Sequence, residues 1–289
     1  SVVPLTFFDS ARAAIDANSS VRIDEAFIDA AKPRRQNIRL ALLSGRVWSR
    51  VLALLDAESS YGVEYNGVVS GVRGTAFAVT ARGTSAVIDV FGGTIGVSGK
   101  TSGRISKGFS ATIDTARPPA AVDEALVPTP DATVNDSWVQ EQFDDDALFS
   151  YEAMNMRNAL GVEDAIAEYD AVRKEADFGV LQEPGVEYSD YDRLTVQSAS
   201  QNYVLSADAP LQLQAIAHFL RLKGEETRDV TVLADWYVSH PDRAAVKNGL
   251  VTLTPEAAPG VINDTVVAVA RWYDGTHFHS AAVTLLLAR

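Results

Sequence analysis

The sequence predicts a mainly β protein in three parts: an amino-terminal β-sandwich or β-roll, a helical hairpin connector, and a carboxyl-terminal β-sandwich. Three observations predict this class. Apolar and polar residues alternate with a period of two in both halves of the chain, turn residues separate these stretches, and one stretch between the halves has helical periodicity instead. We place the boundaries at residues 1–110, 111–187 and 188–289.

The composition is that of a folded globular chain. Hydrophobic residues make up 47% of the 289 residues and charged residues 22%, which argues against wholesale disorder. Asp and Glu number 38 against 25 Lys and Arg, giving a formal net charge of -13, so we expect no nucleic-acid partner. The absence of cysteine excludes disulfides, thiolate nucleophiles and cysteine-based metal sites.

The amino-terminal part predicts half-buried antiparallel strands. Alternation is clearest from Ile38 to Leu42, from Tyr61 to Tyr65 and from Thr75 to Val79. Turn signals such as Asn66-Gly67 lie between them. From residue 99 to residue 130, Gly, Ser, Thr, Ala and Pro predominate, and we expect a surface connection there.

The connector is predicted to be a helical hairpin over residues 135–177. Asn135-Asp136-Ser137 supplies capping residues, and apolar residues follow at helical spacing as far as Leu160. A second helix follows Gly161. No stretch of about 18 apolar residues occurs, so we expect no membrane span.

The carboxyl-terminal part has the clearest strand pattern. Apolar residues alternate from Leu211 to Phe219 and again from Val266 to Trp272, and Asp274-Gly275 predicts a hairpin turn before the last strand. About seven strands in about 100 residues is typical of an immunoglobulin-like sandwich.

Two families are similar to parts of this sequence. The core motif Gly71, Val72, Arg73, Gly74 and Thr75, with Gly45-Arg46-Val47-Trp48 before it and Val90-Phe91-Gly92-Gly93 after it, resembles the FecR-type domain over residues 1–110. Residues 189–289 resemble bacterial immunoglobulin-like domains of the invasin and intimin type, through Leu211 to Phe219, Arg228 to Trp236, Val246 to Val251 and Val267 to Ala270. Both resemblances imply export and surface display, and neither family is generally catalytic.

Arg73 has two interpretations. It lies between two glycines, where it could contact a ligand. Alternatively, its guanidinium hydrogen-bonds strand carbonyls or a carboxylate such as Glu64 or Asp89, and we favour this structural role because an internal arginine needs partners for several donors.

We expect no metal site and no cofactor. His277 and His279 could share a strand face, but no third ligand is identifiable. The acidic stretch Asp144-Asp145-Asp146 and the group Glu187, Asp190 and Asp192 lack the pattern of a calcium loop, so we expect solvated acidic faces. Ser239, His240 and Asp242 lie too close along one strand end to converge as a catalytic triad, and we expect no enzyme activity.

The sequence predicts a secreted or cell-surface, non-enzymatic structural or adhesive protein. Its partners would be other cell-surface proteins or further copies of the chain, in a filament or surface array. The resemblance to FecR-type domains implies an alternative, an extracytoplasmic sensor or regulatory domain that couples an outer-membrane receptor to a sigma factor.

The filament hypothesis rests on strand donation. The chain begins with an apolar stretch, as if a leader had been removed, and the usual preceding strand of the FecR-type domain is missing, so an exposed sheet edge could accept a neighbour's strand. The candidate subunit contacts lie near the two ends of the chain: Val2, Val3, Leu5, Phe7, Val283, Leu285 and Leu287.

Overall fold

The computed structural model describes residues 2–54, 56–72, 74–162, 164–176, 191–221, 224–254 and 264–288. The chain divides into two compact units. Unit one comprises Ser1–Thr129 and Asp136–Asp177, and unit two comprises Pro130–Asn135 and Phe178–Arg289. The protein is mainly β, with helices concentrated between residues 131 and 176, as predicted.

Unit one is built from short strands. They are β1 (Val3–Phe7), β2 (Ala11–Ile15), β3 (Ser20–Asp29), β4 (Lys32–Ser44), β5 (Arg46–Val51), β6 (Ser60–Tyr65), β7 (Val68–Val72), β8 (Thr75–Arg82), β9 (Ser85–Gly92), β10 (Thr94–Gly99), β11 (Gly103–Ser106), β12 (Phe109–Asp114) and β13 (Leu126–Pro128).

These strands form two sheets. The seven-stranded sheet has the order β1-β2-β5-β8-β9-β12-β13, and the six-stranded sheet has the order β11-β10-β7-β6-β4-β3. Neighbouring strands are antiparallel except β4 and β6, which are parallel. The chain repeatedly crosses between the sheets at short corners. Gly93 makes one of them, between β9 and β10, with a φ of +71° that favours glycine.

The core of unit one is formed by the buried residues of its alternating strands. It includes strands further along the chain than the sequence predicted. Leu40, Val63 and Phe77 are fully buried, as alternation predicts. The predicted surface connection over 99–130 is wrong in part, because β11 and β12 lie there and Phe109 and Ile113 are buried. Small residues fill these strands, so their composition resembled a linker although every second residue of β12 faces the core.

The helices are α1 (Asp131–Val134), α2 (Ser137–Ala159) and α3 (Ala165–Ala176). A short 3-10 helix spans Val122–Ala125. The predicted hairpin is present as α2 and α3, and the Asp136 side chain accepts hydrogen bonds from the N–H groups of Trp138 and Val139 at the start of α2. Of the helices that the structure describes, none is long and apolar enough to cross a membrane.

The hairpin belongs to unit one by its contacts. Phe149 and Ala153 of α2 and Val172 of α3 form a buried cluster with Leu52, which follows β5. The hairpin is therefore a third layer of the amino-terminal unit.

Unit two contains α1 and the remaining strands. They are β14 (Tyr191–Ser198), β15 (Val204–Leu205), β16 (Leu211–Arg221), β17 (Gly224–Asp229), β18 (Asp235–Val238), β19 (Ala244–Lys247), β20 (Leu250–Leu253), β21 (Asp264–Tyr273) and β22 (Phe278–Leu287).

The strands of unit two form a β-sandwich of two sheets. One sheet has the order β14-β16-β20-β19, with β17 also paired to β16, and the other has the order β15-β22-β21-β18. Leu213 and Phe219 of β16 and Val266 and Trp272 of β21 are almost fully buried in the two clusters that both sheets share. The alternation that predicted these strands therefore marks their buried faces.

The candidate subunit contacts lie in strands that pair within the chain. Val3, Leu5 and Phe7 belong to β1, which pairs with β2 from Val3 opposite Ile15 to Phe7 opposite Ala11. Val283, Leu285 and Leu287 belong to β22, whose ten residues all pair with β21. Donation of β22 would thus require unit two to open, whereas β1 lies at the edge of its sheet.

Candidate functional site

A buried ion cluster joins α2 to the seven-stranded sheet. Asp146 is fully buried, and its two carboxylate oxygens accept hydrogen bonds from Arg12 Nη1 at 3.3 Å, Arg50 Nε at 2.8 Å and Trp48 Nε1 at 3.0 Å. Arg12 Nη1 also donates to Gln142 Oε1 at 3.1 Å, one helical turn before Asp146. The prediction of a solvated acidic face is therefore wrong for Asp146, because the face of α2 that carries it packs on β2 and β5.

The charges of the cluster serve to position α2 on the sheet. Burial raises the pKa of Asp146, and the guanidinium groups of Arg50 and Arg12 and the Trp48 N–H oppose that rise. Such a buried group contributes little net stability when it is fully paired, but loss of one partner leaves an uncompensated charge. The cluster therefore fixes where α2 sits on the sheet.

Aromatic side chains surround the ion cluster. The Trp48 ring stacks on Phe91 at a centroid distance of 4.9 Å, and the edge-to-face partners Phe143 and Trp138 of α2 lie at 5.3 and 6.3 Å from it. The Arg46 guanidinium lies 4.1 Å from the Trp138 ring and 3.2 Å from Asp136 Oδ1. Apolar burial and ion pairing thus act at the same contact.

Arg157 makes a second attachment near the end of α2. It is almost fully buried, and its Nε donates to Asp9 Oδ2 at 3.2 Å while its Nη1 donates to Glu168 Oε2 of α3 at 2.6 Å. Glu168 also accepts a hydrogen bond from the backbone N–H of Ala53. This arginine therefore links both helices to the turn between β1 and β2.

A shallow groove crosses the six-stranded sheet and contains part of the predicted FecR-type motif. Its volume is about 520 Å³. Gly62, Gly71 and Gly96 lie opposite one another on β6, β7 and β10, and the exposed Arg104 of β11 continues the row. Gly71, Gly96 and Arg104 of this row line the groove, whereas Gly62 is buried beside it. The other lining residues are Ser59, Ser60, Tyr61, Val72, Thr94 and Ile95.

Packing within the sheet does not require glycine at these positions. Tyr61 and Ile95 alternate with these glycines and are buried, so the row lies on the face away from the core. A Cβ added at Gly71 or Gly96 would meet its nearest neighbour at 3.9 or 3.7 Å, which is ordinary contact. The row gives the groove a floor of bare backbone.

The five residues of the motif have different positions. Gly71 and Val72 end β7, Gly74 forms the next corner with a φ of +70°, and the buried Thr75 begins β8. The Thr75 hydroxyl donates to the carbonyl of Thr94 at 3.4 Å. Arg73 lies outside the described residues, so both interpretations of it stay predictions. Of its two suggested partners, Asp89 is buried and accepts a hydrogen bond from Ser110 Oγ at 2.6 Å.

The other residues predicted as site candidates have local partners. His279 Nε2 lies 2.7 Å from Asp274 Oδ2, and its ring stacks on Tyr191 at 3.8 Å, whereas His277 Nδ1 lies 3.0 Å from Thr276 Oγ1.

The acidic candidates do not form a metal centre within the described residues. Asp144 is exposed, Asp145 pairs with Arg12, and Asp192 pairs with Arg193. Glu187 and Asp190 lie outside the described residues. Across the described part of the chain, no group of three or more His, Cys, Asp or Glu side chains could hold a metal ion.

Ser239, His240 and Asp242 lie just after the end of β18, where they make local hydrogen bonds. Ser239 Oγ lies 2.7 Å from His240 Nδ1 and accepts a hydrogen bond from the Val267 N–H at 3.1 Å. The Asp242 carbonyl accepts a hydrogen bond from Thr254 Oγ1 at 2.5 Å. The Ser239 bond connects the end of β18 to β21, and the Asp242 bond connects the turn after β18 to Thr254.

The sequence interpretation missed the residues that hold the hairpin. Arg12 and Arg50 were not singled out, although each stands among small or apolar residues, Ala11 to Ala14 in one case and Val47 to Val51 in the other. A charged residue within a buried strand needs a partner, and that requirement is the signal that could have identified both.

Comparison with known proteins gives one match to a family model. The model described as FecR protein matches residues 1–96, which lie within the β part of unit one. The predicted similarity to FecR-type domains is thus confirmed for that segment, whereas the role of the Gly71–Thr75 motif in it stays a prediction. The immunoglobulin-like resemblance of residues 189–289 stays a prediction.

Two solved crystal structures of a candidate anti-sigma factor from Parabacteroides distasonis are similar to part of the chain. Both are 15% identical to it, with TM-scores of 0.37 and 0.38, and each alignment covers 48% of this chain and 61% of that protein. The chain thus spans less than two thirds of that protein's length, and a likeness this remote supports no conclusion about function. Among curated proteins, none matches the chain.

Proposed function

We propose that this chain is a non-enzymatic, extracytoplasmic sensor or regulatory protein of the FecR type. The observation that carries the proposal is the family-model match to residues 1–96, because that segment forms most of both sheets of unit one. Regulators of this type act outside the cytoplasm and pass a signal to a sigma factor, so their β domain works by binding. We therefore also propose that the chain binds a partner protein in this regulatory role.

The groove is the recognition site that we assign to this role. Its floor of Gly71 and Gly96 lets another chain approach the sheet closely, and Arg104 offers several hydrogen-bond donors at one end. Residues 1–129 carry 14 Lys and Arg against 12 Asp and Glu, whereas residues 130–289 carry 11 against 26. The β part of unit one should therefore repel an anionic partner less strongly than the net charge of the whole chain suggests.

The test is genetic, in the source cell. Deletion of the coding sequence for residues 1–96 should change the transcript levels of a defined set of genes, and the intact gene supplied in trans should restore them. Arg104→Ala should reproduce part of the change, since it alters only the groove. Arg117→Ala, at another exposed arginine of unit one, is the matched control and should behave as the intact protein.

Two results would contradict the proposal. Transcript levels that do not change on the deletion would exclude a regulatory role. Filaments of the purified protein in negative-stain microscopy, together with unchanged transcription, would favour the structural-subunit interpretation instead. That interpretation has less support because its candidate donor strand β22 is paired along its whole length.

A further inference from the structure

Helix α2 exposes large apolar side chains while it buries polar ones. Gln142, Asp146 and Arg157 are at most 1% exposed. Leu148 and Met156 are 61% and 51% exposed, and Leu160, which directly follows the helix, is 65% exposed. A surface helix of a globular protein normally turns its apolar side toward the core, so this helix has a second side that is suited to contact.

Exposed apolar side chains also occur on α3 and beside it. Ile166 is 59% exposed, and Tyr151, which is 47% exposed, lies edge-to-face against Tyr169 of α3 at 5.6 Å. We call Leu148, Met156 and Leu160, which lie at multiples of four residues along one row of the helix surface, the hairpin face. Single exposed apolar residues are common, but a row of them along one helix indicates an interaction surface.

The charge around the hairpin face is acidic. Glu141, Asp144, Asp145 and Glu152 are the exposed charged side chains of α2, and the one basic residue of that helix, Arg157, is buried. On α3 the exposed Asp170 and Arg173 balance each other, so the excess acidic charge of the hairpin surface lies on α2. A partner with basic groups would therefore be attracted to this surface, and an acidic partner would be repelled.

We propose that the hairpin face docks a basic, amphipathic helix of a partner protein. The apolar side of such a helix would cover Leu148, Met156 and Leu160, and its lysines or arginines would lie against Glu152 and the neighbouring acids. With 23 residues, α2 is about 35 Å long, enough for a helical partner of several turns. A second copy of this acidic chain and an anionic lipid surface are both disfavoured by charge.

This inference goes beyond the proposed function, because it concerns a different surface from the groove and does not require a role in transcription. Unchanged transcription in the genetic test would leave it standing. Failure of the binding experiment below would leave the regulatory proposal standing.

The experiment uses the full chain and a synthetic probe. The probe is a peptide of about 18 residues, built from Leu and Lys with Leu at helical spacing, which gives five turns of a basic amphipathic helix. We expect it to bind by isothermal titration calorimetry, more weakly as NaCl is raised. The amide signals of residues 148–166 should shift in NMR spectra of the labelled protein.

Paired variants test the site. The double substitution Leu148→Ser and Met156→Ser should weaken binding at least tenfold, and Glu152→Gln should reduce its salt dependence. Leu220→Ser, at a 59% exposed leucine of unit two, is the matched control and should bind as the intact chain does. Circular dichroism would establish that all variants keep their fold, which is expected because the altered side chains are exposed.

Four outcomes of the peptide experiment would overturn the proposal. They are no binding of the probe, equal binding by the double variant, equal binding of a peptide with Glu in place of Lys, and equal binding of a peptide with the same composition but scrambled Leu positions. If the intact chain is a dimer that the double variant converts to a monomer, the occupant is a second copy and the proposal is wrong. Sedimentation with anionic vesicles that depends on Leu148 would also contradict it.

Discussion

Asp144, Asp145 and Asp146 show how burial separates three identical neighbours. Asp144 is exposed, Asp145 is half-exposed beside Arg12, and Asp146 is fully buried between Arg12 and Arg50. Helical geometry causes the difference, because consecutive residues lie 100° apart around the axis and only one of the three can point directly at the sheet. Their energetic roles must therefore differ.

Replacement of Asp146 by Ala should destabilise unit one by about 3–5 kcal/mol, since it leaves two buried arginines without their shared carboxylate. Asp144→Ala is the control and should change stability by less than about 0.5 kcal/mol. Urea unfolding followed by tryptophan fluorescence measures both, because Trp48 is in the cluster. Equal effects of the two substitutions would contradict a structural role for the cluster.

Asp274 makes the stability of unit two depend on pH. Burial opposes its ionised form, but hydrogen bonds from His279, His277 and Thr276 outweigh that effect and lower its pKa to about 2, from an ordinary value of 3.8. A carboxyl whose pKa is lower in the folded state contributes stability above its unfolded pKa. That contribution should be lost as the pH falls from about 4 towards 2.

The matched variant is Asp274→Asn, which should show a smaller loss of unit-two stability over this pH range than the intact chain. Thermal unfolding followed by circular dichroism at a series of pH values measures the loss. Parallel curves for the two proteins would show that Asp274 does not carry this acid sensitivity.

At the scale of elements, glycines in strands and glycines at corners have different causes. Gly71 in β7 has an extended backbone and space for a Cβ, whereas Gly93 has a φ of +71° and an added Cβ would lie 2.4 Å from the Gly74 carbonyl oxygen. The first is dispensable for folding and the second is required by it.

Gly71→Ala should therefore keep or raise the stability of unit one, by up to about 1 kcal/mol, because alanine loses less backbone entropy in a strand. Gly93→Ala should lower it by about 1–3 kcal/mol through backbone strain and the close contact. Chemical denaturation compares the two. A marked loss for Gly71→Ala would mean that the row has a structural function within the sheet.

The strands and the hairpin could be predicted from the sequence, since both follow from local periodicity. Alternation located β16 and β21, and the capping residues before Ser137 located the start of α2. Strand β12 was missed because its small residues resemble a linker. Pairing of β22 within its own sheet could not be predicted from its two apolar faces alone.

At the scale of the whole molecule, the candidate sites depend on contacts between distant segments. Arg12 and Asp146 are 134 residues apart, and the groove brings together residues from Ser59 to Arg104. No local pattern contains such pairs, so the sequence pointed to the motif that borders the groove but not to the ion cluster. The uneven charge of the two halves was available from the sequence and becomes informative once the units are known.

The arginine pair beneath α2 has an evolutionary consequence. Because the buried Arg12 and Arg50 share the carboxylate of Asp146 on α2, the three positions are expected to mutate together. Relatives that possess the β unit but have lost the hairpin should carry uncharged residues at both arginine positions. An alignment in which those arginines persist without the helix would show that the sheet acquired them for another purpose, before the hairpin was added.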